Sequence, residues 1–294
     1  MTASLVFEQV INGLMIGAIY ALFAIGLALI MGVMDVVNTA HGEVFMLGAY
    51  AALGAITYIG VGPILYLPLA ALAGFVIGAV IDVVVVRPLR VRREVDLHLA
   101  SMILMFGVGM ILQNSALLLF GPKFLKAPEL LSGATEILGM IFINDYLLTA
   151  AISLILMTAV AVFLRWTKLG RSIRATAQNP NAAQLVGINP AFIGTLTFGI
   201  GAALAALAGA LLGPLYYINP TMGSNILLKG FAVVIVGGMG NVYGAVVAAF
   251  ILGISESVGA TFLSYGYKDA IGFFLLAFAL LVRPQGLFGA QVRV

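Results

Sequence analysis

Arg165-Trp-Thr-Lys168-Leu169-Gly170-Arg171-Ser-Ile173-Arg174-Ala-Thr-Ala177-Gln178-Asn179-Pro180-Asn181-Ala182-Ala183-Gln-Leu-Val-Gly187-Ile-Asn-Pro190 is a polar stretch with long apolar runs on both sides. Four cations, Arg165, Lys168, Arg171 and Arg174, fall within ten residues. At roughly 2.5–3.5 kcal/mol per centrally placed Arg or Lys, holding all four in hydrocarbon would cost on the order of 10 kcal/mol. The stretch, about 165–190, is therefore a loop on the membrane side that collects Lys and Arg, the cytoplasm. Leu169, Ile173 and Ala177 recur at i, i+4 and predict a short helix with one apolar stripe. Asn179-Pro180 reads as the N-cap and first residue of a second short helix, with Gly187 at its C-terminal end. Two short helices on such a loop form a surface for a partner; a pair lying on the headgroups is the bland alternative.

The rest of the composition agrees. Of 294 residues, 63% are hydrophobic and 9% charged, and apolar runs near twenty residues recur throughout. That balance excludes a soluble globular domain and predicts an all-α polytopic membrane protein forming a single transmembrane domain over residues 1–294. A β-barrel would show ten-residue alternating segments. The net charge is only +3 and the cations lie in loops, so nucleic acid is not an expected partner; the lipid bilayer is. The chain has no cysteine, hence no disulfide and no thiolate metal site. No Lys or Arg precedes Arg87, so the first apolar run is expected to be a retained span, not a cleaved secretory signal.

Spans are expected at about 10–33, at 38–59 after the polar cluster Asp35 to Glu43, and to about Val86 after a Gly62-Pro63 turn. Gly13 with Gly17, and Gly74 with Gly78, form small faces for close helix contact. Arg87 to His98 is a second basic loop, carrying Arg90, Arg92 and Arg93. Further spans run over 99–120, carrying Gln113 and Asn114, then 146–164 and 191–217, with a mixed-charge loop at 121–145. Ile226 to Val236 is only about 16 Å long as a helix, too short for about 30 Å of hydrocarbon. It reads as a half-helix followed by the break Gly237-Gly238-Met239-Gly240-Asn241 and a further helix to about Thr261. Irregular backbone at membrane depth is tolerated only inside protein or beside water, so this break is expected near a pathway. A final span covers 269–282, giving about 8–10 spans with half-helices included. Cytoplasmic basic loops put the N-terminus outside, with Arg283 and Arg293 inside. Asn38-Thr-Ala-His41-Gly42 and Asn219-Pro-Thr-Met-Gly223 share Asn and Gly at one spacing, five crossings apart, which is the arrangement of an inverted repeat.

The chemistry is mostly defined by absence. The sequence has no phosphate-binding P-loop, no H-E-x-x-H and only His41 and His98, so neither ATP hydrolysis nor a metal site is expected. No catalytic triad suggests itself. Asp35 and Asp82 fall at span ends and read as interfacial anchors. Glu256 falls near a span end and Glu43 near a span start, so no carboxylate sits mid-span where an ion-coupled carrier usually keeps one. His41 and Glu43 suit a helix-start hydrogen-bond cluster or a gate. Gln113, Asn114 and Asn241 are the neutral amides at membrane depth, and no buried Arg–Asp pair is evident. Such a path suits a zwitterion or small neutral solute. Asn38, His41, Glu43, Gln113, Asn114, Asn219, Gly237, Gly238 and Asn241 are the candidate pathway residues, their helix starts and break expected to share one polar cavity. The chain reads as a pathway lacking its own engine.

Four motifs carry a resemblance. Asn38 to Tyr50, Leu169 to Ala175 followed by Ala182-Ala183 and Gly187, Lys229-Gly-Phe231 with Gly237 to Asn241, and Arg283-Pro284-Gln-Gly286-Leu-Phe288-Gly289 resemble the permeases of branched-chain (leucine/isoleucine/valine-type) amino-acid ABC importers. Asn181-Ala182-Ala183-x-x-x-Gly187 is similar to the E-A-A-x-x-x-G loop of ABC importers generally, with Asn where that pattern has Glu. The resemblance implies a bacterial inner-membrane complex. Its members would be this chain, a second related permease, two cytoplasmic ABC ATPases that hydrolyse the ATP, and an extracytoplasmic solute-binding protein. It also implies that Gly170, Arg171, Arg174, Ala182, Ala183 and Gly187 belong to the ATPase-coupling loop. Permeases of urea and short amides share most of these motifs. Outside the family, a re-entrant-loop channel is the alternative and a secondary carrier the third.

Overall fold

The computed structural model describes residues 3–60, 62, 65–91, 96–137, 139–262, 264–283 and 285–289. Pro63 of the expected turn, Arg92 and Arg93 of the second basic stretch, Pro284 and Arg293 lie outside the described residues. The chain runs through α1 (Ala3–Met34), α2 (His41–Gly54, prolonged by a π-helical turn at Ala55–Ile59) and α3 (Tyr66–Ile81). A second π-helical turn at Asp82–Val86 carries α3 into α4 (Arg87–Val91). Then come α5 (Leu97–Phe120), α6 (Asn144–Trp166), the short α7 (Lys168–Gln178) and α8 (Pro180–Leu185), α9 (Pro190–Leu212), α10 (Met222–Gly237), α11 (Val242–Phe262) and α12 (Lys268–Val282). Among the described residues seven helices are long and apolar enough to cross a membrane. With the shorter α10 (16 residues) and α12 (15 residues), the all-α polytopic fold matches expectation.

Some boundaries differ for local reasons. The third span does not stop at Val86 but continues to Arg90, because Arg90 folds back onto Asp82 and its charge is neutralised there. The span expected to reach Tyr217 stops at Leu212, because Pro214, which lacks an N–H, cannot continue the ladder of helix hydrogen bonds. The segment between α5 and α6 is not featureless. A hairpin of β1 (Ala134–Ile137) and β2 (Met140–Ile143) pairs antiparallel in the register Ala134↔Ile143, and Leu125 bridges Ile218.

α1 and α9 are the most buried helices, and they cross where Gly26 and Gly201 each face the other's carbonyl. α1 lies along α11, and α9 lies along α3. Both long contacts use the small faces legible in sequence. A Cβ on Gly13 would sit 2.5 Å from the Ile254 backbone, and one on Gly74 would sit 2.7 Å from the Ala202 carbonyl. The exchange is reciprocal: the first helix of each triplet, α1–α3 and α9–α11, packs on the third helix of the other. α5 and α6 are peripheral and present broad apolar surfaces outward.

Candidate functional site

The two triplets meet at the starts of their middle helices. Beyond Met34 the chain turns at Asp35, whose φ is +56°, and runs back beside α1. It reaches the level of Phe23, where His41 Nε2 lies 3.3 Å from the Phe23 carbonyl oxygen. α2 thus begins beside the middle of α1, not at its end. From the other end, 213–221 runs inward and α10 begins at Met222, placing Gly223 against Gly42. A Cβ on Gly223 would stand 2.5 Å from the Gly42 carbonyl oxygen and 2.7 Å from Glu43 Oε2, so only glycine permits this crossing.

Asn38, His41 and Glu43 cluster at this crossing, all buried. Asn38 Oδ1 accepts from the Ala40 N–H at 3.1 Å and Glu43 Oε1 from the Ser224 hydroxyl at 3.4 Å. Asn38 Nδ2, His41 Nδ1 and Glu43 Oε2 have no hydrogen-bond partner within the described chain. Each such atom costs about 1–3 kcal/mol if left unmet; His41 faces α1 at Phe23 and Gly26, and Glu43 faces α10 at Gly223 and Ser224.

The other pathway candidates lie elsewhere. Asn219, just ahead of α10, lines a cavity together with Phe45 and Lys229, its Oδ1 accepting from Thr221 N and Oγ1 at 2.9 and 2.7 Å. Gln113 is half-buried on the stripe of α5 that carries Gly109 and Ala116, and Asn114 is exposed, its Nδ2 donating to its own helix at Met110 O, 2.7 Å away. The break from Gly237 to Asn241 does not share a cavity with the helix starts, contrary to expectation. Because α10 already begins deep in the bundle, sixteen residues carry it about 24 Å, to the bundle end that holds α7 and α8. There Gly240 packs on Gly32, and Asn241 caps α11 by accepting from Gly244 N at 3.0 Å. Residues 285–289 strap this break: Leu287 N donates to Val236 O at 2.7 Å and Asn241 Nδ2 to Phe288 O at 3.0 Å. The break and α7 border a cavity of about 650 Å³ that also holds Arg165 and Arg174.

Two buried ion pairs overturn the expectation of an uncharged interior. Asp82 is no interfacial anchor: fully buried, it meets Arg90 at 2.9 Å and accepts from the Thr195 hydroxyl at 2.5 Å. Asp35 is exposed at the end of α1, 3.1 Å from His98. Lys229, in the middle of α10, lies 2.9 and 3.0 Å from the two oxygens of buried Glu256 and 2.9 Å from Asp269. Tyr20 donates to Glu256 at 3.0 Å, and Lys268 Nζ stands 4.0 Å from Glu256 and 3.4 Å from the Tyr216 hydroxyl. A cavity of about 370 Å³ opens beside this network at the hairpin end of the bundle. The sequence signal for it, a lone Lys in an apolar run, was present but its partners are remote in the chain.

The α7–α8 segment folds as two short helices. Thr167 caps α7 and Asn179 caps α8, accepting from Ala182 N at 3.0 Å; Gly187, at φ +84°, ends α8. The buried stripe of α7 is Gly170, Ile173 and Thr176, whereas Leu169 and Ala177 are exposed, so the stripe keeps Ile173 at its centre but is spaced at i, i+3 rather than i, i+4. Gly170 packs on the backbone of Leu164 at the end of α6. Arg171, Arg174 and Ala182 are exposed, but Ala183 is buried against the chain's own fold. The free apolar surface is instead Leu185 and Val186, 89% and 76% exposed at the tip of α8.

Comparison with known proteins adds to this geometry. Residues 9–280 match the family model described as the branched-chain amino acid transport system / permease component. The high-affinity branched-chain amino acid transport system permease protein LivH of Salmonella typhimurium is 34% identical, the match covering 96% of this chain and 95% of that protein. BraD of Pseudomonas aeruginosa, a permease protein described in the same words, is 36% identical over the same shares. LivM of Salmonella typhimurium, a further permease protein of that description, is 27% identical over 92% of this chain and 67% of its own length.

Proposed function

The chain belongs to the family of branched-chain amino-acid transport permeases, and from that premise we propose that it forms half of the membrane pathway of an ATP-driven importer for leucine, isoleucine and valine. The observation that carries the reading is the match over nearly the whole length to relatives named for that transport. The other half is a second, related permease, a role suggested by the likeness to both LivH and LivM. Two cytoplasmic ABC ATPases dock on α8 and hydrolyse the ATP, so this chain carries no catalytic group and no resident cofactor. An extracytoplasmic binding protein delivers the solute at the hairpin end, and the complex sits in a bacterial inner membrane.

The geometry supplies a physical route for coupling. The α7–α8 segment packs on the ends of α1, α6 and α9. Force applied at α8 therefore reaches α1 and α9, whose triplets meet at Gly42 and Gly223. Because the triplets interlock along α1–α11 and α3–α9, that force moves this chain as one body against the second permease, in the manner of alternating access between paired halves. At that crossing the unpaired atoms of Asn38, His41 and Glu43 offer polar contacts to a passing solute.

The test is uptake into proteoliposomes holding the complete complex, with the binding protein supplied. ATP-dependent leucine accumulation that disappears when this chain is omitted is the expected result. Urea uptake without competition by leucine would replace the substrate, and accumulation without any ATPase would overturn the class in favour of a channel or carrier.

A further inference from the structure

We propose that the cavity beside Lys229 at the hairpin end is a subsite on this chain for the zwitterion of an aliphatic amino acid in transit. The inference rests on the function proposed above and adds a place on the permease itself where the solute is held.

Its chemistry is set by two kinds of lining. The lining carries Lys229, Lys268 and Asp269, with fully buried Glu256 bonded to Lys229. These four side chains sum to zero charge, arranged as alternating cations and carboxylates at 2.9 to 4.0 Å. A solute with one ammonium and one carboxylate can enter such a ladder by exchange, each of its charges replacing one protein partner, and leaves the site neutral. A solute with net charge cannot. Beside these charges the lining includes the apolar Phe45, Leu212, Met222 and Ile226, which suit a branched aliphatic side chain, with Asn219 among them. The space, about 370 Å³, falls in the range of small-molecule sites.

Position argues in the same direction. Ionisable side chains within membrane helices are costly and mark solute paths more often than scaffolding. A network serving only to staple α10, α11 and α12 would need no cavity at its edge and no open carboxylate. Here Asp269 is 67% exposed, so its charge is accessible to an ammonium group. Asn225, exposed on α10, lines the same cavity and makes no contact in the ion network.

The experiment uses the complete complex in proteoliposomes with saturating leucine-loaded binding protein, and reads leucine moved per ATP hydrolysed. Asp269→Asn removes the ammonium partner without changing size, and Asn225→Phe fills the cavity from its exposed edge. Each is expected to lower the ratio about tenfold, the effect of losing one modest contact. Damage to the fold would instead lower uptake and hydrolysis together and keep the ratio. An unchanged ratio in both variants, whether or not the two rates fall, overturns the subsite and leaves the importer reading in place. Absence of ATP-dependent leucine uptake in the unaltered complex overturns both.

Discussion

Gly42 and Gly223 touch backbone to backbone where the two halves of the molecule meet, and Glu43 fills the space beside them. A methyl group at either position would have to displace a carbonyl of the other half, which no side-chain rotation can relieve. Gly42→Ala is therefore expected to cut the yield of folded permease several-fold and to lower its melting temperature in detergent. Gly107 is the control, since a Cβ there meets nothing within 4 Å. Gly107→Ala should be neutral or slightly stabilising, by up to about 1 kcal/mol from helix propensity. Melting curves from thermal-shift size-exclusion chromatography read both; equal melting points would contradict the crossing. At this scale the sequence was partly legible. Asn38, His41 and Glu43 announce themselves as polar residues ahead of an apolar run, and all three are buried at the start of α2. Lys229 does not, because Glu256 is 27 positions away and the pairing depends on how α10 and α11 fold against each other. The same holds for Asp82, whose Thr195 partner lies 113 positions on.

Among the elements, α8 separates what belongs to the chain's own fold from what it offers to others. Its N-cap, first proline and terminal glycine were readable because helix-end chemistry is local. Which of its small residues face inward was not, because that depends on the turn of α7 against α6. Ala183 is buried, so Ala183→Arg is expected to destabilise the segment rather than report on docking. Leu185→Asp, at an exposed site, should leave the permease pair folded while ATPases no longer co-purify. Full ATPase recovery with Leu185→Asp would favour helices lying on the headgroups instead. The hairpin β1–β2 escaped the sequence reading because four-residue strands give too short an alternation to rise above loop composition. The strap at 285–289 escaped it too, since its pairing is made through backbone groups.

For the whole molecule, the reciprocal packing of α1–α3 with α9–α11 explains how one chain presents different devices at its two ends. Two matched residues, Asn and Gly, were all the sequence offered for this repeat, because helix packing depends on size and not on identity. The outward faces of α5 and α6 are apolar, as are exposed faces of α3 and α12, and suit contact with lipid. The central claim is that the hairpin end receives solute outside the cell while the α8 end receives ATPases inside it. The chain has no cysteine, so single cysteines placed at Ser132 and Leu185, both exposed, report without background. The most direct measurement is labelling of these two with a membrane-impermeant maleimide, in intact cells and in inside-out vesicles, with ATPases present and stripped. The account predicts that position 132 is labelled only in cells. Position 185 should be labelled only in inside-out vesicles, and only after the ATPases are removed. Labelling of 185 in intact cells, or labelling in vesicles that bound ATPases leave unchanged, would contradict it.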